Sequence, residues 1–441
     1  MKRKLALLIL ALAVLAASGA AAFRKEDVKV HYLDNGLKIL LLEDHGIPNI
    51  ALYTFFRVGS RNERTGITGV SHFIEHMMFN GTPKIGPGEF DRRMEFAGGA
   101  NNAFTGDDMT GYTDWFPAAA LEPMMVMEAD RMQGLLLDPQ VLESERGVVA
   151  SERRMSVDNN NDSILSENVR ATAIMAHPYH WDVIGWMSDI LSWKRDDIMA
   201  YYRTYYAPNN AVLIVAGDFE PAKALELIKK YYGAIPKSTP PPAVSTVEPP
   251  QIGTKRVVLR KAAQVPSFEM VWHAPTANDP DYFPLAILEK ALLDGQSSRL
   301  YKRLVREEQL AINVRGGVSE TIDPQLFTIT ARPRPGADLD RLEAVIEEEL
   351  AKVKADGLTG AEIQKALNMI KSDFYFGLQS IAGKASALGQ AEILYGGYEK
   401  AFDRIDAFAA VKKEQIIQAA KKYFNDANKT VGRLIPEGGA K

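Results

Sequence analysis

Residues 198–217, IMAYYRTYYAPNNAVLIVAG, and residues 416–435, IIQAAKKYFNDANKTVGRLI, follow one plan at one spacing: an amphipathic helix, a turn and an apolar strand. The correspondence extends to the start of each half. PNIALYTFFRVGSRN precedes HFIEHMMFNGT in the first, as VPSFEMVWHAPTAND precedes AILEKALLDGQ in the second. A chain organised this way is a duplicated unit, and each half constrains what the other can become. Six prolines between Ala234 and Gln251 mark the joint, because proline favours an extended, semi-rigid spacer. The expected layout is a domain over 23–233, a linker over 234–251 and a homologous domain over 252–441.

Each half opens with strands and continues with helices. Segments 28–33 and 37–43 read as a hairpin around Asp34-Asn35-Gly36, whose residues tolerate the positive φ of a tight turn. A third strand is expected at 49–58, and helices at 67–80, 87–97, 118–136, 140–157 and 163–176. Strands grouped apart from helices give an α+β class rather than a βαβ alternation.

A formal charge of -4 and no basic run interleaved with aromatics exclude a nucleic-acid footprint. Met1-Lys2-Arg3-Lys4, an apolar stretch from Leu5 to Ala17 and small residues up to Ala22 read as a signal peptide over residues 1–22. The apolar stretch falls short of the ~20 residues of a membrane span. A secreted protein, placed in a bacterial periplasm, is the expectation. The chain contains no cysteine, so any metal is bound through nitrogen and oxygen.

The helix expected at 67–80 divides into two faces at about 100° per residue. Val70, Phe73, Ile74, Met77 and Met78 form the apolar stripe. His72, Glu75 and His76 lie on the other face, where two imidazoles one turn apart can reach one ion. Asn80-Gly81 reads as a C-cap. Glu75, beside His76, is placed to act as general base on the zinc-bound water rather than to ligate. The same three residues could also be ordinary polar residues on a helix surface. A third ligand should come from a neighbouring element. The helix at 140–157 carries Glu145 and Glu152 on one face, two turns apart, which by itself is equally a solvated acidic stripe.

His72-Phe73-Ile74-Glu75-His76, followed by Glu152 in ERGVVASERRM, resembles the inverted-motif zinc peptidases of the pitrilysin/insulinase family, which includes the catalytic subunit of the mitochondrial processing peptidase and small bacterial relatives. The resemblance spans nearly the whole mature chain, including the duplication and the segments GGANNAFTGDDMTGY and HPYHWDVIGW. It implies the fold of that peptidase subunit, with one Zn2+ per chain held by His72, His76 and Glu152. Glu75 is then the base, and Glu145 supports activity without ligating. It also implies that Asn102, Ala103 and the adjoining Phe104 lie on an edge strand to which an extended peptide adds as a further strand. Read without the family, Gly98 to Tyr112 is a glycine turn, a strand and a return strand, and Asn102 could belong to an ordinary hairpin. His177 and His180 read as structural or substrate-adjacent, and His31, His45 and His273 as residues without a functional role.

The second half departs from the pattern, with Ala286 and Lys290 where the first has His72 and His76. Single-chain relatives carry an arginine and a tyrosine, seven apart, that bind substrate and the developing oxyanion; here those positions are Val305 and Ile312. Arg303, Arg306 or Tyr301 could substitute. Otherwise the chain would work as a homodimer, or as a heterodimer with a related zinc-free subunit that supplies the pair. The resulting expectation is a zinc-dependent endopeptidase of extended or unfolded peptides. The alternative is a non-catalytic subunit that keeps a structural zinc.

Overall fold

The structure is a computed structural model and describes residues 23–437. The signal peptide expected over 1–22 lies outside the described residues. Among them, no helix is long and apolar enough to cross a membrane.

Two mixed sheets organise the chain. The first contains β1 (Val28–Tyr32), β2 (Lys38–Glu43), β3 (Asn49–Phe56), β4 (Ala100–Thr105), β5 (Thr110–Pro117) and β6 (Ala211–Gly217), in the order β1-β2-β6-β3-β5-β4. The second contains β7 (Lys255–Ala262), β8 (Ser267–Ala274), β9 (Ala311–Val318), β10 (Gln325–Pro333) and β11 (Lys429–Glu437), in the order β7-β11-β8-β10-β9. Apart from β1, the second sheet repeats the first strand for strand. The pairs β2–β6 and β7–β11 are parallel and all others antiparallel. The repeated segments recognised in the sequence form the Arg195–Tyr205 helix with β6 and the Lys413–Tyr423 helix with β11. The architecture is α+β.

The central strand β6 is Ala-Val-Leu-Ile-Val-Ala-Gly and is buried throughout, so both faces of its sheet need a cover. One face packs on helices of its own half, with Ile39, Leu41 and Leu213 meeting Val70, Phe73 and Ile228. The other face, with Leu40, Tyr53, Phe55 and Ile214, is covered by Ile381, Ala385 and Leu388 of the second half. The second sheet receives the reciprocal cover. Val271, Leu326 and Leu434 pack on Leu165, Val169 and Ala173 of the Asn161–Ala173 helix, which belongs to the first half.

Glycine permits the close approach at both crossings. A Cβ on Gly432 of β11 would collide with Val169, and one on Gly389 of the Ile381–Gln390 helix would collide with the Phe55 ring. Between Tyr232 and Lys255 the proline-rich chain carries no helix or strand, yet it is fixed at several points. The Glu248 carboxylate accepts the backbone N–H groups of Met175, Ala176 and His177 at 2.7–2.9 Å.

Overpacking a buried crossing costs about 1–3 kcal/mol. Gly432→Ala and Gly389→Ala are each expected to lower stability by that amount, read as a reduced urea midpoint at unchanged slope. An unshifted midpoint in both would contradict the crossing geometry.

Candidate metal centre

The helix that carries His72, Glu75 and His76 runs from Val70 to Met77, shorter at both ends than the sequence indicates. Gly69, at φ 82°, forms its start, and its free N–H groups are answered from a distance. The buried Glu63 carboxylate accepts from Gly69 N and Ser71 N, both at 2.8 Å. Burial raises the Glu63 pKa to about 8 against these backbone hydrogen bonds. Asp189 Oδ2 accepts from Gly66 N, Thr68 N and the Thr68 hydroxyl at 2.8–3.1 Å. At the other end Asn80 is not a left-handed cap: its Nδ2 donates to His76 O and to Glu145 Oε2, both at 3.1 Å. Val70, Phe73, Ile74 and Met77 are buried, which leaves the polar face toward a cavity.

The second element is the Pro139–Arg153 helix, capped by Asp138 through Gln140 N and Val141 N and continued by a π-turn to Asp158. Its two Glu-Arg pairs split between two faces. Arg146 Nη1 and Nη2 donate to Ile190 O and Trp193 O at 2.5 and 2.7 Å, and Arg153 Nη1 donates to Glu167 Oε1 and Gly185 O at 2.5 and 2.8 Å. With the arginines anchored behind, Glu145 and Glu152 face the histidines.

His72 Nε2 and His76 Nε2 lie 3.3 Å apart, and Glu152 Oε2 lies 3.8 Å from the first and 3.6 Å from the second. Ligands at 2.0–2.1 Å in a tetrahedron stand about 3.3–3.4 Å from one another, so this donor set fits zinc. It is the one group of three potential metal ligands among the described residues. Burial, aided by neighbouring His76, lowers the His72 pKa to about 4, which keeps the imidazole neutral and able to ligate. Burial opposes protonation of His76 as well, but the Glu145 carboxylate, 2.7 Å from Nδ1, together with the charges of Glu152 and Glu75, raises that pKa. Glu145 itself is held low by that hydrogen bond. It thus contacts one member of the donor group from outside that group. Glu75 is not in the ligand group. Burial raises its pKa, partly offset by the Thr105 hydroxyl, which donates to Oε2 at 2.5 Å.

Thr105 ends β4, the edge strand of the first sheet. Asn102 Oδ1 accepts the Ala103 N–H at 2.9 Å, and Asn102 O accepts from the Thr113 hydroxyl of β5. Phe104 lines the cavity and packs edge-on against Phe55. The turn after β4 is tied to the second half. Asp107 accepts from Arg170 and Gln325, while Asp108 accepts from Tyr179 Oη and Ile322 N. His177 belongs to this seam, 3.1 Å from Asp323 through Nε2 and accepting Tyr179 N on Nδ1.

The matching position of the second half holds no donor set. On the Tyr282–Leu292 helix, Ala286, Glu289 and Lys290 stand where His72, Glu75 and His76 would be, and the Lys290 ammonium pairs with Asp294 and Asp373 at 2.8 and 3.1 Å. Glu289 accepts the Val318 N–H of β9, a contact that parallels Glu75 with β4. Arg303 is held by Glu308, Glu348 and Glu349, and Arg306 by Gln296. Neither lines the cavity, nor does Tyr301. Glu63, Asp189 and Thr105 are absent from the sequence reading, and Asn80 enters it only as a helix cap; the pairing of Glu-Arg with Glu-Arg seven residues on was its accessible clue to the opposed faces.

The model of the insulinase family (peptidase family M16) matches residues 38–185, and that of the peptidase M16 inactive domain matches residues 192–370. The zinc protease PqqE of Helicobacter pylori is 31% identical over 410 residues, covering 92% of each chain. An uncharacterised zinc protease of Bacillus subtilis, YmxG, is 26% identical over 404 residues, covering 90% of this chain and 96% of its own. The crystal structure of a protease from Helicobacter pylori superposes with a TM-score of 0.89 at 30% identity, covering 93% of this chain and 99% of that one. The chain belongs to the insulinase family of peptidases, family M16.

Removing a group that orients a metal-bound imidazole typically costs 10–100-fold in metal affinity. Glu145→Gln is expected to weaken zinc binding within that range, measured by competition with a chromophoric chelator, with stoichiometry preserved. Unchanged affinity would leave Glu145 without this role.

Proposed function

We propose that the chain is a zinc-dependent endopeptidase of extended or unfolded peptides. The observation that carries the proposal is the ligand-spaced triangle of His72, His76 and Glu152 beside an unligated, half-buried Glu75. Relatives named zinc proteases over nine-tenths of the chain support it. Bound there, zinc would acidify a water molecule and polarise the scissile carbonyl. Glu75 takes the proton of the attacking water and hands it to the leaving amine. Burial raises its pKa, which makes it a stronger base than a free carboxylate, and the Thr105 hydroxyl donates to it. Glu145 and Asn80 hold His76 in register.

Asn102, Ala103 and Phe104 on β4 receive the substrate as an added strand, so main-chain hydrogen bonds bind it with little demand on sequence. Only an extended segment can pair in this way, which selects peptides and unfolded chains. Residues 23–233 form the zinc-binding domain and residues 252–441 its zinc-free homologue. The signal-peptide pattern of residues 1–22 supports a periplasmic location. The arginine and tyrosine missing at Val305 and Ile312 come from a second chain, either another copy or a related zinc-free subunit.

Glu75→Gln is expected to keep zinc content and thermal stability while reducing peptide hydrolysis by at least 10²-fold. Equal turnover would refute the role of Glu75. Glu152→Ala should lose zinc, measured by elemental analysis after desalting; full stoichiometry would show that the third ligand lies elsewhere. Rapid cleavage by the purified chain, shown to be monomeric, would refute the two-chain arrangement. A holoprotein that binds peptides and hydrolyses none, alone or partnered, would favour the non-catalytic zinc subunit.

A further inference from the structure

The cavity of about 590 Å³ that receives His72, Glu75 and Glu152 has a second wall, contributed by the other half of the chain. That wall is one row of residues across three strands. Glu269 of β8 pairs with Thr330 of β10, and Thr330 pairs with Arg315 of β9. All three line the cavity. The row continues under the crossing helix, where Gly432 of β11 lies opposite Glu269 beneath Val169. The Ser166 hydroxyl of that helix donates to Glu269 at 3.3 Å. The helix thus covers the row as far as β8 and leaves Thr330 and Arg315 facing the cavity.

Arg315 is the one arginine or lysine among the lining residues. It sits on the outer strand of its sheet and is exposed, with no hydrogen bond or ion pair to any described residue. The nearest carboxyl in its row is two strands away, their backbones about 10 Å apart at ordinary strand spacing, and it feels the guanidinium charge without pairing with it. That carboxyl, Glu269, is only 3% exposed, and burial raises its pKa to about 7, so at neutral pH it is a weak competitor for the guanidinium. A planar fork of N–H donors held at the rim of a peptide-sized cavity is matched best by a carboxylate, which it can bind bidentately.

We infer that Arg315 is a substrate-anchoring residue that pairs with a carboxylate of the bound peptide, either its C-terminus or an acidic side chain. This rests on the peptidase reading and adds a selective contact to the unselective strand pairing at β4. Main-chain pairing sets conformation and direction, while the guanidinium sets which stretch of the peptide lies beside Glu75.

The test uses zinc-loaded Glu75→Gln protein and a fluorescent ten-residue peptide of neutral composition with an amidated C-terminus. Matched forms carry a free C-terminal carboxylate, or keep the amide and place one glutamate at successive positions. Anisotropy titration should show one carboxylate-bearing form binding about tenfold more tightly than the neutral peptide. That gain should vanish on adding Arg315→Ala and persist in part with Arg315→Lys, and the form that shows it identifies the source of the carboxylate. The inference is overturned if no carboxylate form binds more tightly than the neutral peptide, or if Arg315→Ala keeps the preference. An Arg315-dependent preference in a holoenzyme that hydrolyses none of these peptides would instead refute the peptidase reading and leave the anchor standing.

Discussion

The reciprocal helix crossing is the contact on which the rest of the molecule depends. Each sheet is apolar on both faces, and each half supplies helices for only one of them. The second cover comes from the other half, through Val169 over Gly432 in one direction and Gly389 under Phe55 in the other. Neither half can bury its own sheet, so the duplicated units are structurally one body. The cavity follows from the same arrangement, because along the Glu269 row the crossing helix reaches only β8 and leaves Thr330 of β10 and Arg315 of β9 facing the donor set.

The centre itself is set by anchors that face away from it. His72 and His76 owe their separation to helix pitch, and the placement of that helix to Glu63 and Asp189, which answer the amide groups ahead of it. Glu145 and Glu152 point inward because Arg146 and Arg153 are tied outward to backbone carbonyls. A pair of carboxylates on a mobile helix would be a poor partner for two imidazoles. Here the geometry is set by hydrogen bonds on the dry side of each helix, where water does not compete.

Much of this was legible in the sequence because it is periodic. The helix–turn–strand repeat showed that the two halves share one plan, and the polar face of the Val70–Met77 helix stood out against its apolar stripe. What stayed hidden was pairing across long sequence separations. Nothing in the sequence links Asp189 to Thr68, or Asp107 to Gln325, since such contacts depend on the fold being already assembled. The helix boundaries shifted for a local reason: Gly69 adopts a left-handed conformation that periodicity does not report. Arg303 and Arg306, the second-half cations beside Val305, are committed to neighbouring side chains. Arg315 went unnoticed because its place in the cavity depends on strand register.

The ion pairs of Lys290 show how the two halves differ in their need for a cation. In the first half two imidazoles and a carboxylate converge on a point that needs a cation to balance them. In the second, the lysine carries its own positive charge into the corresponding place and finds Asp294 and Asp373 already there. One copy of the duplicated unit thus carries a covalently attached cation where the other presents donors suited to an external one. The wall bearing Arg315 is therefore built without recourse to a metal ion, and under the proposed function scarcity of zinc would disarm the chemistry of one half without dismantling the scaffold that the other half provides.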